Sequence, residues 1–186
     1  MEHFSDNREF DLYRDINTRT NGEIYIGVVG PVRTGKSTFI KRFMDLMVLP
    51  FMEDEHARER TIDELPQSAA GKTIMTTEPK FIPQEAVELK LAGEVTIRVR
   101  LVDCVGFMVE GAAGHLEDGA ERLVKTPWYD HEIPMRVAAE EGTRKVIREH
   151  STIGIVVTTD GSVTELARED YAAAEARIVA ELQDIG

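Results

Sequence analysis

The spacing of apolar residues changes several times along the chain, and each change marks an element. Ile24-Tyr25-Ile26-Gly27-Val28-Val29 is an apolar, β-branched run fit for a buried strand. Beyond it, Phe39, Phe43, Leu46 and Met47 recur at helical spacing, which predicts a helix stopped by Pro50. Ahead of it, Phe10, Tyr13 and Ile16 are spaced for one short amphipathic helix that Gly22 would end, so residues 1–22 read as an arm packed on the domain. Residues 51–70 are acidic and mixed, with Pro66 marking a break, and predict a long exposed connection. Two alternating runs, 86–91 and 94–102, read as a hairpin joined at Ala92-Gly93. The Gly-rich stretch 107–134, with Trp128 and Tyr129, is longer than most connections and reads as a switch region. A helix is expected over 135–149, a buried strand over 151–158, and a helix over 163–185 with Tyr171, Ala174, Ile178, Leu182 and Ile185 on one face.

Strands alternating with helices imply an α/β fold with a mostly parallel sheet flanked by helices, to which the hairpin adds an antiparallel edge. A length of 186 residues, 42% of them hydrophobic, suits one domain with a real core over residues 23–186. The longest aliphatic stretch, residues 153–157, falls far short of the roughly 18 residues a membrane helix needs, so no transmembrane segment is expected. Met1-Glu2-His3-Phe4-Ser5-Asp6 lacks a basic and then apolar leader, and cytoplasmic residence is the default expectation. A net charge of −12 opposes a nucleic-acid backbone as principal ligand. Arg98 and Arg100 on one strand, and Arg144, Lys145 and Arg148 on a predicted helix, read as solvated faces. The single cysteine, Cys104, reads as a small buried hydrophobe, and the five histidines stand too far apart for a zinc site.

Gly30 to Ser37 reads Gly-Pro-Val-Arg-Thr-Gly-Lys-Ser, a complete G-x-x-x-x-G-K-[ST] loop between a predicted strand and a predicted helix. That context defines a P-loop NTPase. A triphosphate needs many donors at close range. Gly30 and Gly35 let the backbone approach, the N–H groups through Thr34 and Thr38 face the anion, Lys36 bridges the β- and γ-phosphates, and the Ser37 hydroxyl ligates Mg²⁺. A second Gly-Lys-Thr at Gly71-Lys72-Thr73 has Pro66 where the first glycine belongs and no strand before it, so it is discounted.

Val102-Asp103-Cys104-Val105-Gly106 places an acid at the end of an apolar strand with glycine three residues later. Asp103 is expected to hold Mg²⁺, directly or through water, and the Gly106 N–H to meet the γ-phosphate. Between these motifs, Thr76 and Thr77 offer hydroxyls in a loop of the kind that closes over a γ-phosphate, and one of them should complete the Mg²⁺ shell. This order of motifs is that of switch GTPases. Phe107 stands where many of them carry a glutamine that orients water, so slow hydrolysis by an isolated molecule is expected, with further groups supplied from elsewhere. Arg33, inside the loop, is either a cation near the β/γ bridge or a salt-bridged surface residue. A base-reading N/T-K-x-D tetrad is missing, since Asp160 follows Val157-Thr158-Thr159. The expectation is an N-terminal part of a larger protein, cut before its last strands, with base preference left open.

The stretches 27–41, 63–81, 101–106, 126–129 and 149–154 closely resemble the stage IV sporulation protein A family, the spore coat morphogenetic ATPases of endospore-forming bacteria. The resemblance runs over nearly the whole chain. It implies a fold related to translation-factor-like GTPases, ATP as substrate, Mg²⁺ as cofactor, and hydrolysis coupled to self-assembly of a layer beneath the coat. It also implies that Lys36 binds nucleotide, that Asp103 is the metal-holding acid, and that Thr76 and Thr77 sense the γ-phosphate. The family works on the mother-cell face of the outer forespore membrane, recruited by a small amphipathic membrane peptide. Contacts for that peptide, for other coat proteins and for polymerisation are expected beyond residue 186. Two other readings stay open: a GTPase of ribosome or tRNA maturation, suggested by the motif order, and a nucleotide-binding scaffold without turnover, suggested by Phe107.

Overall fold

The computed structural model describes residues 18, 20–66, 77–90, 96–112, 116–117, 120–161 and 166–184. The arm helix predicted within 1–22, the 92–93 turn, Thr76 and Ile185 lie outside them. The elements follow in the order β1 (Glu23–Val29), α1 (Lys36–Phe43), α2 (Glu55–Glu64), β2 (Lys80–Lys90), β3 (Thr96–Asp103), four two-residue strands β4 (Leu116–Glu117), β5 (Ala120–Glu121), β6 (Leu123–Val124) and β7 (Ile133–Pro134), then α3 (Met135–Glu149), β8 (Ile153–Val156) and α4 (Ala172–Gln183).

The main sheet has the order β2-β3-β1-β8. β1 pairs in parallel with β3 and with β8, and β2 runs antiparallel to β3. The domain is therefore mixed α/β with a mostly parallel sheet flanked by helices, and the hairpin supplies the antiparallel edge. β2 starts at Lys80, well before the predicted Ala86, and its register shifts between Ile82 and Val87 around a cis Ile82–Pro83 bond. The pattern over 151–158 predicts a buried strand, and β8 departs from it. Among the described residues it bonds only to β1, and Ile153 and Val156 are each 42% exposed.

Alternate residues of the strands face two cores. One contains Val28, Ile40, Met44, Val48, Val99 and Leu101 beneath α1; the other contains Val29, Val102, Phe107, Val146, Tyr171 and Ile178 beneath α3 and α4. Each such side chain contributes about 1.5–3 kcal/mol by leaving water.

The apolar face of α1 differs from the predicted one. Lys36, Ile40, Met44 and Val48 form the buried stripe at i, i+4, i+8 and i+12, whereas Leu46 and Met47 are exposed. The helical path also continues past Phe43, through a π turn (Met44–Val48) and a 3₁₀ turn (Leu49–Phe51). Pro50 fits there because the early positions of a helical turn need no N–H partner.

The predicted exposed connection after residue 51 contains α2, whose first turn is capped by Asp54 accepting from the His56 and Ala57 N–H groups at 2.9 and 3.1 Å. The last helix starts at Ala172, after a 3₁₀ turn (Arg168–Tyr171), later than the spacing suggested. Arg144 and Arg148 are not simply solvated. Both hydrogen-bond Glu181 on α4, at 2.9 and 2.8 Å, and Arg177 returns the contact by pairing with Glu140 on α3 at 2.6 Å.

Candidate functional site

The loop Gly30–Ser37 leaves β1 and opens α1 at the carboxyl edge of the sheet. Gly35, the N-cap of α1, has φ +91°, a left-handed conformation that strains any residue with a Cβ. That turn sends Lys36 inward. The Lys36 side chain is buried, and its Nζ donates to the Pro31 carbonyl at 2.7 Å, where the Thr34 hydroxyl also donates at 2.9 Å. Burial pushes the Lys36 ammonium below its ordinary range, and the nearby Cys104 and Asp103 oppose that shift. A buried cation at a helix N-terminus is an arrangement that favours an anion. Gly30 backs onto the Val157 carbonyl, while Arg33, at φ +62°, and Thr38 are exposed.

Asp103 ends β3 opposite Val28 of β1, and this parallel register delivers its carboxylate to the loop. Ser37 Oγ donates to Asp103 Oδ2 at 2.9 Å. The other carboxylate oxygen, Oδ1, is buried and has no hydrogen-bond partner. Desolvation raises the Asp103 pKa, against the Ser37 hydrogen bond and the Lys36 charge. A hydroxyl and an unsatisfied carboxylate oxygen side by side are hard donors of the kind Mg²⁺ accepts, and the residues fit that ion.

Residues 104–107 then run along the glycine-rich loop. Pro31 and Phe107 form a parallel bridge, and the Val32 N–H donates to the Phe107 carbonyl at 2.9 Å. Gly106 has φ +97°, and a Cβ on it would stand 2.2 Å from the Gly30 carbonyl oxygen and 2.6 Å from Lys36 Nζ. Glycine alone fits. The Gly106 N–H, expected on a γ-phosphate, is directed to Thr143 Oγ1 of α3 at 3.1 Å. Phe107 is fully buried with the Arg177 guanidinium 4.7 Å from its ring centroid, so it serves the core.

Ser37 thus meets Asp103, Gly106 meets the tip of Lys36, and the Lys36 and Asp103 charges interact. Thr77 is buried with its carbonyl against Gly142 of α3, and Thr76 falls outside the described residues. Gly142 and Thr143 were not singled out in the sequence. Their only signal there is a glycine and a β-branched polar residue inside an otherwise good helical pattern. A cavity of about 480 Å³ between α2 and β2 includes none of Lys36, Ser37, Asp103 and Gly106, and its lining Glu53, Asp54, Glu64, Glu85 and Glu88 would repel a phosphate. Among the described residues no three His, Cys, Asp or Glu side chains gather as a metal cluster, and no helix is long and apolar enough to cross a membrane.

A buried lysine, a serine hydroxyl and a strand-end aspartate thus stand around one glycine bend of an α/β domain, and the class of that domain comes from its relatives. Residues 7–186 match the family described as "Stage IV sporulation protein A, ATPase domain", and the chain belongs to that family. It is 57% identical over 176 residues to stage IV sporulation protein A of Bacillus anthracis and of Bacillus subtilis (strain 168), covering 95% of this chain and 36% of each relative. The Clostridioides difficile (strain 630) protein of the same name is 57% identical over 175 residues, 94% of this chain and 36% of the relative. The chain therefore spans little more than a third of the length of these relatives.

Proposed function

We propose that residues 23–186 form a P-loop NTPase domain of the translation-factor-like type, preceded by an arm over 1–22, that binds Mg·ATP and hydrolyses it. In the whole protein, hydrolysis is coupled to self-assembly of the basement layer of the spore coat at the forespore surface. The observation that carries this reading is the Ser37–Asp103 contact at 2.9 Å, with Asp103 Oδ1 left unsatisfied beside a buried lysine. Bound Mg²⁺ would neutralise charge between the β- and γ-phosphates.

The chain's own residues do the rest. Ser37 and Asp103 hold the ion, and the amides of the loop from Gly30 through Gly35 to Thr38, with Thr34 among them, cradle the phosphates. Lys36 exchanges the Pro31 carbonyl for phosphate oxygens. Thr76 and Thr77 sense the γ-phosphate, and one of them completes the metal shell. Arg33 answers charge that develops at the β/γ bridge.

Phe107 lends specific support to assembly-dependent turnover. A ring buried against Arg177 cannot orient a water, so an isolated molecule hydrolyses slowly and the missing group comes from a neighbouring copy. In this reading the protein resides in the mother-cell cytoplasm, peripheral to the outer forespore membrane, and regions beyond this chain contact a small amphipathic membrane peptide and other coat proteins. The deciding experiment is side-by-side ATP and GTP hydrolysis by the full-length protein across a concentration series. ATP preference with turnover per molecule rising with concentration supports the reading. GTP preference with ribosome co-sedimentation would replace it, and no phosphate release under assembly conditions would leave a scaffold.

A further inference from the structure

Two neighbouring residues of α3 touch both segments that a γ-phosphate would engage. Gly142 lets the Thr77 carbonyl approach so closely that a Cβ on it would stand 2.6 Å from that oxygen and 3.2 Å from the Trp128 ring. Thr143, fully buried, accepts the Gly106 N–H at 3.1 Å and donates its own proton to the Ala139 carbonyl at 2.8 Å. With that proton committed, the Thr143 oxygen can only accept from Gly106. Gly106 itself lies at the tip of Lys36, since a Cβ there would sit 2.6 Å from Nζ. Besides the weakly accepting Cys104 sulfur, this amide therefore has two strong competing acceptors: the Thr143 hydroxyl, and any phosphate oxygen that Lys36 holds.

We propose that Thr143 is a positioning residue that sets the selectivity of the site for nucleoside triphosphate over diphosphate, by competing with the γ-phosphate for the Gly106 N–H. The proposal rests on the nucleotide-binding reading above. A diphosphate leaves the Thr143–Gly106 bond intact, whereas a triphosphate must break it to gain the amide. The Thr143 bond thus weakens triphosphate binding alone. Without the Thr143 oxygen, the buried N–H keeps only the weak Cys104 sulfur until a γ-phosphate arrives, which favours the triphosphate state.

The test measures, by calorimetry on the full-length protein with Mg²⁺, the affinities for ADP and for the non-hydrolysable β,γ-imido analogue of ATP. In Thr143→Val, nearly isosteric but without an acceptor, the ratio of the ADP Kd to the analogue Kd is expected to rise by roughly ten-fold. Thr143→Ser keeps the oxygen and is expected to stay within about two-fold of wild type. If Thr143→Val does not fold by circular dichroism, Thr143→Ala reads the same ratio. A ratio unchanged or lowered in the acceptor-less variant, or raised equally by Thr143→Ser, overturns the role of Thr143 while wild type still binds both probes. Wild-type protein that binds neither probe overturns the nucleotide reading itself, and this proposal with it.

Discussion

Asp103 shows what the site demands of a single residue. Its carboxylate is largely desolvated, one oxygen has no partner, and burial raises its pKa despite Ser37 and Lys36. A folded pKa above the unfolded value means that the native state resists ionisation, so the carboxyl costs the fold stability as pH rises above the unfolded pKa, and that cost falls away as pH drops through the raised one. Asp103→Asn is therefore expected to raise the melting temperature without nucleotide, by about 2–4 °C for each kcal/mol relieved. The same variant should lose the stabilisation that Mg·ATP gives the wild type; a melting temperature that falls would refute the point. Lys36→Ala removes a buried, charge-assisted donor and is expected to weaken Mg·ATP binding roughly 100-fold or more by calorimetry, with the far-ultraviolet spectrum preserved. The placement of Lys36, Ser37 and Asp103 could be read in the sequence because local spacing on a strand-turn-helix and at a strand end sets it. Thr143 could not, since only the packing of α3 brings it to Gly106, thirty-seven residues away.

At the level of elements, α1 ties the loop to the core. Its buried stripe begins with Lys36 itself and continues through Ile40, Met44 and Val48, so the contacts that hold the helix also aim the lysine. Ile40→Ala is expected to cost about 2–5 kcal/mol in denaturant unfolding. The loss should come with weaker nucleotide binding, because the lysine loses its support. The α3–α4 seam is a network of ion pairs joining Glu140 and Glu181 to Arg136, Arg144, Arg148 and Arg177. Burial alone would raise these carboxylates, yet the arginine hydrogen bonds and charges outweigh it and hold both below their ordinary value of 4.5. Depressed folded pKa values give stabilisation that is present above the unfolded pKa and lost as pH falls through the folded one. Thermal stability should thus drop below about pH 4.5, and Glu181→Gln should flatten that drop. An acid profile identical in the two proteins would remove the seam from the account. The spacing revealed α3 well. It missed α2, because a polar helix on an acidic stretch shows little apolar period and announces itself chiefly through its Asp54 cap.

For the whole molecule, the prediction concerns assembly. Full-length protein with Mg·ATP is expected to sediment as polymer, and Lys36→Ala to stay in the supernatant; equal pelleting of both would uncouple the site from assembly. The net charge of −12 on these 186 residues opposes close approach between copies of this domain unless salt screens it. The α/β class, the loop, the strand-end acid and the family were legible along the chain, because these depend on near neighbours and on local backbone chemistry. Tertiary structure alone decided which way Lys36 turns, which oxygen of Asp103 is left over, that Phe107 belongs to the core, and that a helix hydroxyl holds the Gly106 amide. Those outcomes come from parallel register and helix packing, which join residues dozens of positions apart, and no local pattern encodes them.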